Sequence, residues 1–485
     1  MSVVGTAIPA GTDTPKPPGV GLNVAPLIDI SLLVAACKLA FFIADPYPSF
    51  HFGDSGAYLA TALVKWIPPD RSFSYGFLLR PLVFGSHSFG PVLALQVLAS
   101  GVASVILGIV LLRYFRARPA VAAAFACLSA IEPIQLMSER FVMTEAVATF
   151  VFALYVWAAL AFVASKRILT LLAVQILGVI CVSLRYSFLP VVLLLSVVLP
   201  LLAMYKRPRN SWRCTVVRLA VAVLASQALL AGYRHLYGGL AHTKPAYLSR
   251  DGDFLVADMA PIVTPQDFPV AGERSLLFQK IKIPLHNIAN RRLHRWVDGG
   301  LCQAILDIAK GDEELANSLA SRTALRAMKR DPVGVLRLGF STYRDFLRSR
   351  SMNWALQLDE GHFVGPTQND VKMIRDWFRV DALDRRYESV TKRWHGTAAP
   401  WCSLIVLIPW LYALEMFWHR RSVSAFDWLL LLSAFCLLGS AIVPVEIANP
   451  RYLVPLPWLA VLIVGVMVTR CAQSANPPMR GGQSG

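Results

Sequence analysis

Residues 90–118 read GPVLALQVLASGVASVILGIVLLRYFRAR, an uncharged apolar run through Leu112 and then Arg113, Arg116 and Arg118 close together. Crossing a hydrocarbon core takes about 20 mainly apolar residues, and membrane proteins keep Lys and Arg on the cytoplasmic side of their spans. The stretch therefore reads as a membrane helix that ends in the cytoplasm. Outward from it the same signature recurs. Apolar runs at 26–44, 119–136, 144–164, 168–184, 187–204, 214–233, 400–418, 426–444 and 453–469 bring the expected number of spans to about ten.

The basic residues order these spans. Arg113, Arg116 and Arg118 follow the second, Lys166 and Arg167 the fourth, and Lys206, Arg207 and Arg209 the sixth. Arg420 and Arg421 follow the eighth and Arg470 the tenth. Each cluster falls after an even-numbered span, so both termini are expected in the cytoplasm of a multi-pass inner (plasma) membrane protein. Residues 1–25 then form a disordered cytoplasmic lead-in, 26–233 carry spans one to seven, 400–469 carry spans eight to ten, and 470–485 form a cytoplasmic tail. No cleaved signal peptide is expected, because the N-terminus lacks a basic region followed by a short apolar run.

Composition agrees. Of 485 residues 55% are hydrophobic and 16% charged, against about 25% charged in a soluble domain. The net charge of +17 sits mostly in the clusters beside apolar runs, so it reports topology and not nucleic-acid binding. Cys37, Cys127, Cys181, Cys402 and Cys436 fall inside apolar runs as small hydrophobes, and Cys302 lies in the large polar segment, which leaves no disulfide framework. Residues 234–399 are too long and polar for a linker and form an expected extracytoplasmic helical domain. Its 301–330 run has helical spacing, and Asp331-Pro332 breaks it before a second helix through Phe346. Strand alternation is absent, so short helices on the membrane surface are expected.

Chemistry concentrates on the outer face. The first outer loop, 45–89, carries His51-Phe52-Gly53-Asp54-Ser55-Gly56-Ala57-Tyr58 ahead of a short apolar stretch. A carboxylate at a membrane-edge cleft can take a proton from a hydroxyl; Asp54 can equally cap the helix that follows. Glu132, Glu139 and Glu145 stand around one short outer turn, where Glu145 behind Thr144 also fits an acid at a helix start. Arg80, Arg140, Arg185 and Arg451 are outward cations that the positive-inside bias disfavours. A phosphate bound in their bidentate forks would account for them; snorkelling, or pairing with Glu139 and Glu446, is the structural alternative. Lys38 lies within the first span as a snorkelling or paired charge, and His51 is the one histidine placed near a carboxylate motif. No Gly-rich phosphate loop, Ser-His-Asp set or Cys-rich metal motif occurs, which excludes cytoplasmic nucleotide chemistry.

Together these segments resemble integral-membrane glycosyltransferases of the GT-C fold, especially bacterial relatives of dolichyl-phosphate-mannose protein mannosyltransferases and the lipid A aminoarabinose transferase. The likeness rests on Gly53 to Tyr58 after the first span and on Ser138 to Glu145 (SERFVMTE) leading into the fourth. It also rests on Asp331-Pro332 in the outer domain and on Glu446 to Pro455 (EIANPRYLVP) before the last span. The resemblance implies an all-α polytopic fold and an inverting transferase that moves a sugar from a polyprenyl-phosphate donor to an extracytoplasmic glycan, lipid or protein acceptor. By similarity Asp54 is the general base, with Glu139 sharing the catalytic work. Glu145 and Tyr58 would hold sugar, and Arg80, Arg140, Arg185 and Arg451 the phosphate. The first loop has a single Asp where the protein mannosyltransferases carry Asp-Glu. No cofactor is fixed by the motifs, and a divalent cation near Asp54 stays open because some relatives use one. Two rivals share the apolar bulk: a lipid-linked saccharide transporter or flippase, and an O-antigen polymerase or ligase. Neither requires a first-loop Asp, and a transporter calls for repeated halves or broken midplane helices.

Overall fold

The computed structural model describes residues 24–51, 53–205, 212–359, 367–380, 393–394, 396–419 and 423–475. Most of the expected lead-in and residues 476–485 of the expected tail lie outside the described residues, as do the basic clusters at 206–209 and 420–421. The chain is an all-α polytopic membrane protein. Among the described residues it forms no strand, and one isolated parallel bridge joins Ser49 to Phe141.

The first ten helices are α1 (Val24–Ala44), α2 (Asp54–Val64), α3 (Ser74–Ser86), α4 (Gly90–Phe115), α5 (Pro119–Ala130), α6 (Pro133–Arg140), α7 (Glu145–Ser165), α8 (Ile168–Leu184), α9 (Leu189–Leu202) and α10 (Trp212–Ala241). Of these, α1, α4, α7 and α10 are long and apolar enough to cross a membrane. The 17 residues of α8 rise roughly 26 Å, a little under the ~30 Å hydrocarbon thickness. Burial sorts the bundle: 72% of the α7 window is buried against 17% for α1, so α7 forms the centre and α1 presents leucines such as Leu32 and Leu39 outward.

The third expected span, 119–136, is not one helix. It breaks into α5 and α6, bent by 48°. Pro133 disfavours helical geometry at the residue before it, and the Glu132 carboxylate caps the restart by accepting from the amides of Ile134 and Gln135 at 3.0 and 2.6 Å. Glu139 therefore sits on the last turn of a buried helix and not in an open loop. The tenth helix, α10, runs past residue 233 to Ala241, where Tyr233 and Tyr237 pack with Phe73.

Between the two groups of spans lie α11 (Asp251–Met259), α12 (Arg274–Lys280), α13 (Leu293–Trp296), α14 (Leu301–Ile308), α15 (Glu313–Arg330), α16 (Pro332–Phe346), α17 (Ser349–Asp359) and α18 (Gln368–Phe378). Of these, α11, α12, α14, α15 and the start of α16 enclose a second core around Val256, Phe268, Ile305, Leu319 and Ala324, while α17 and α18 pack on the main core through Met352, Leu356, Ile374 and Phe378. The 301–330 run is split at Gly311, whose φ of 83° suits glycine, and Asp312 caps α15 by accepting from Leu315 N at 2.9 Å. Asp331 repeats the device for α16, accepting from Gly334 N at 2.7 Å with Pro332 in the first turn. The last spans are α19 (Ala398–Trp418), α20 (Ala425–Ile442) and α21 (Leu456–Ala475). Arg470 ties them together through Glu415 at 2.9 Å and through Asp427.

Two connections position the 45–89 loop. Ser49 N donates to Arg140 O at 2.7 Å and Val142 N donates to Ser49 O at 3.0 Å, so the turn before Asp54 is fastened to the turn after Glu139. On its far side Tyr237 donates to Pro68 O at 3.1 Å and Arg250 N to Pro69 O at 3.0 Å, so the end of α10 and the segment after it hold the link between α2 and α3.

Candidate active site

Asp54 is the first residue of α2. The cap position belongs to Gly53, at φ 72°, and no side chain caps the helix. The Asp54 carboxylate is thus not occupied with the amides of its own helix. A tight turn precedes it, closed by Ser55 N donating to His51 O at 3.2 Å and by His51 N donating to Ser55 Oγ at 2.9 Å. Gly56 is where α18 crosses: an added Cβ would overlap the Asp370 carboxyl.

Both oxygens of Asp54 face guanidinium groups. Arg71 Nη1 pairs with Oδ1 and Arg451 Nη1 with Oδ2. The remaining edge of Arg71 is held in a fork by Asp70, through Nε at 2.9 Å and Nη2 at 2.8 Å, and Asp70 also accepts from Arg295 Nη2 at 3.2 Å. Arg451 stands over the Tyr452 ring at 5.0 Å and places Nη1 3.3 Å from His51 Nδ1. The other ring nitrogen, His51 Nε2, lies 2.9 Å from Asp359 Oδ1 at the end of α17. Asn449 finishes the arrangement: its amide nitrogen donates to both Asp359 oxygens at 2.9 Å, while its side-chain oxygen accepts from Arg451 N at 2.9 Å.

Electrostatics follow from this geometry. Burial favours the protonated form of Asp54, but Arg71 and Arg451 outweigh it and hold the carboxyl well below the usual carboxylate range. Burial likewise pushes Asp359 up, and His51, Arg451 and Asn449 bring it below its ordinary value. Both acids are therefore anionic, and Asp54 is a weak base for as long as two guanidiniums face it.

His51, Glu145, Asp359 and Arg451 line a small cavity with Ser138, Met137, Phe141 and Met143. Of the residues singled out in the sequence, Asp54, Arg451, Glu145 and Arg185 gather around it. Glu145 pairs with Arg185 at 3.3 Å, and Arg185 donates to Arg451 O at 3.1 Å. Tyr58 follows one turn after Asp54, with its ring edge-on to Tyr75 at 5.2 Å.

Three candidates lie elsewhere. Arg80 donates to the carbonyls of Ala62 and Leu63 at 2.7 and 3.2 Å, closing the end of α2, and stacks on Phe84. Arg140 turns to Phe41 O at 3.1 Å and Asp45 at 3.9 Å. Glu139 is fully buried and pairs with Lys38, which also donates to Ser100 Oγ at 2.9 Å. The three carboxylates expected around one turn thus separate: Glu132 caps a helix, Glu139 meets Lys38 and Glu145 meets Arg185. Glu446, offered as a partner for an outer-loop Arg, stands 3.8 Å from Arg295.

Sequence reasoning passed over Arg71, Asp70, Asp359 and the role of Asn449, although Asn449 stands inside the quoted EIANPRYLVP segment. Among the described residues no group of three or more His, Cys, Asp or Glu side chains converges to hold a metal ion. The Asp54 oxygens, which a cation would need, already face two arginines.

No family model and no curated protein matches the chain. It is similar to the crystal structure of ArnT from Cupriavidus metallidurans bound to undecaprenyl phosphate, at 13% sequence identity and a TM-score of 0.35, covering 92% of this chain and 79% of that one.

Proposed function

We propose that the chain is an inverting membrane glycosyltransferase of the GT-C type. It takes a sugar from a polyprenyl-phosphate donor and passes it to a hydroxyl of an extracytoplasmic glycan, glycolipid or protein, on the outer side of an inner (plasma) membrane, with both termini cytoplasmic. The observation that carries this reading is the Arg71–Asp54–Arg451 arrangement beside a cavity at the first outer loop. It sets a base and two phosphate-binding cations within reach of one reacting centre.

In the structure the Asp54 carboxylate pairs with both cations, and Asp70 supplies Arg71 with a second negative charge. A donor phosphate competes for them, because guanidinium binds phosphate oxygens in the same forked geometry. As Arg451 and Arg71 turn to the phosphate, Asp54 loses the charges that suppressed its basicity and can accept a hydrogen bond from the acceptor hydroxyl. That oxygen attacks the anomeric carbon as the bond to phosphate oxygen breaks. The leaving electron pair ends on the lipid phosphate, where the arginines, with Arg185 behind Arg451, meet the growing charge with little reorganisation. In this reading Glu145, which lines the cavity, and Tyr58, one turn after Asp54, bind sugar hydroxyls. No step needs a metal, since the cations are side chains. Glu139, paired behind the cavity, supports the Ser138–Met143 wall.

The test is Asp54→Asn. The variant keeps size and insertion but cannot take a proton, so transfer of labelled sugar from the lipid-linked pool to the endogenous acceptor is expected to fall by about 10²- to 10⁴-fold. Full transfer by an inserted Asp54→Asn protein would remove Asp54 from the chemistry and with it this reading.

A further inference from the structure

A protonated Asp54 cannot take Arg71 and Arg451 back once the lipid phosphate departs, so the proton has to leave it. The structure offers a second resting place 3.5 Å away, at His51 Nδ1. We infer that His51, oriented by Asp359, is a second catalytic residue of the proposed transferase: it receives from Asp54 the proton taken from the acceptor hydroxyl.

Three observations carry this. First, His51 is a wall of the cavity and not a core histidine, and its two ring nitrogens have different surroundings. Nε2 lies 2.9 Å from Asp359, an acceptor only, so this nitrogen bears the hydrogen and Nδ1 keeps its lone pair. Second, Asp359 is itself fixed: Asn449 donates to both its oxygens, and it is 4% exposed. A buried carboxylate locked onto one imidazole nitrogen sets tautomer and ring orientation, as in other carboxylate–histidine pairs. Third, Nδ1 accepts from Arg451 Nη1 at 3.3 Å and lies 3.5 Å from Asp54 Oδ2, to which the same Arg451 nitrogen donates. Arg451 therefore covers both proton acceptors at once. Donor phosphate that draws Arg451 away exposes both together.

The step balances. The hydroxyl proton passes to Asp54 as the oxygen bonds to the anomeric carbon and the electron pair of the broken bond leaves with the phosphate. The proton then moves from Asp54 to Nδ1, giving an imidazolium between two carboxylates, and departs to water after the product leaves. The charged groups facing His51 are Asp54 from α2, Asp359 from α17 and Arg451 ahead of α21, with Glu145 of α7 on the same cavity.

This inference rests on the proposed function, and the experiment separates the two. Membranes carrying the full chain are assayed for transfer from their own polyprenyl-phosphate-sugar pool to the endogenous acceptor, with Asp54→Asn as the control for the reaction itself. His51→Gln is expected to lower kcat by about 10²-fold with little change in the KM for the donor, a size in line with loss of one proton-transfer group. His51→Ala is expected to regain activity when imidazole is added, which a misfolded protein cannot do. Asp359→Asn is expected to lower kcat and move the pH profile. Wild-type kcat and pH profile in His51→Gln, or a loss in His51→Ala that imidazole does not restore, overturns the inference and leaves the transferase reading intact. Equal transfer by wild type and Asp54→Asn overturns both.

Discussion

Arg451 reaches Asp54 across 397 residues of sequence, and its neighbour Asn449 reaches Asp359 from the same turn. The short run Asn449-Pro450-Arg451 thus joins the loop before the last span to the start of α2 and the end of α17. Three elements, from the two ends of the chain and the polar segment between its spans, meet at one cavity. Any motion that shifts α17 acts on His51 through Asp359. The other side of Asp54 is wired similarly, through Arg71 and Asp70 to Arg295 of α13.

Arg451→Lys is expected to impair transfer although the charge is kept. Lysine offers a point charge in place of a planar fork, so it cannot face Asp54 and a phosphate in turn with the same geometry. A fall of about 10-fold or more in kcat/KM is expected, with Arg451→Ala lower still, measured as initial rates in membranes matched for protein content. An Arg451→Lys protein with wild-type kcat/KM would show that the fork has no part in binding the donor.

The acid side of the stability profile follows from two carboxylates. Asp54 and Asp359 are each pushed up by burial and brought below their ordinary values by the surrounding cations and donors. Folded-state values below the unfolded value of about 3.9 make their contribution fully present above that pH, and it is lost as pH falls through the folded values. The melting temperature of detergent-solubilised protein is therefore expected to be insensitive to these two groups between about pH 7 and 5 and to drop in stronger acid. Asp359→Asn should remove part of that acid-induced drop. An unchanged acid slope in the variant would show that Asp359 is not held in its charged form.

The spans were legible because hydrophobic length and basic flanks are local signals, and the ten apolar segments reappear as seven long helices, one bent pair and two shorter helices. The break in the third span was not read from the sequence, although Pro133 inside the apolar run is its local signal. Asp54 could be recognised from its motif. Arg71 could not: what brings it to Asp54 is the turn through Pro68 and Pro69, fixed by Tyr237 and Arg250 from distant segments. For Glu139 the sequence placed the residue near the right turn but not its direction. That direction depends on Lys38, whose intramembrane charge needed a partner that only the packing of α1 against α4 and α5 supplies.

Lys38 and Glu139 give the remaining prediction. Each is buried, at 4% and 0% exposure, and each is the other's charge partner inside the bundle. Removing one leaves an uncompensated buried charge, which costs about 3–5 kcal/mol, whereas removing both often costs little. Lys38→Met alone is thus expected to reduce the amount of folded protein recovered, and Lys38→Met with Glu139→Leu to restore much of it, read as the fraction resisting denaturant-induced unfolding in detergent. Transfer activity then separates the two roles for Glu139. The Glu139 carbonyl accepts from Gln96 at 2.8 Å and the Phe141 carbonyl from the same amide at 3.0 Å, so the cavity wall has support independent of the carboxylate. Measurable transfer is expected to return with the recovered double variant, as a supporting residue requires. A double variant that folds as well as wild type but transfers nothing would instead place the Glu139 carboxylate in the reaction.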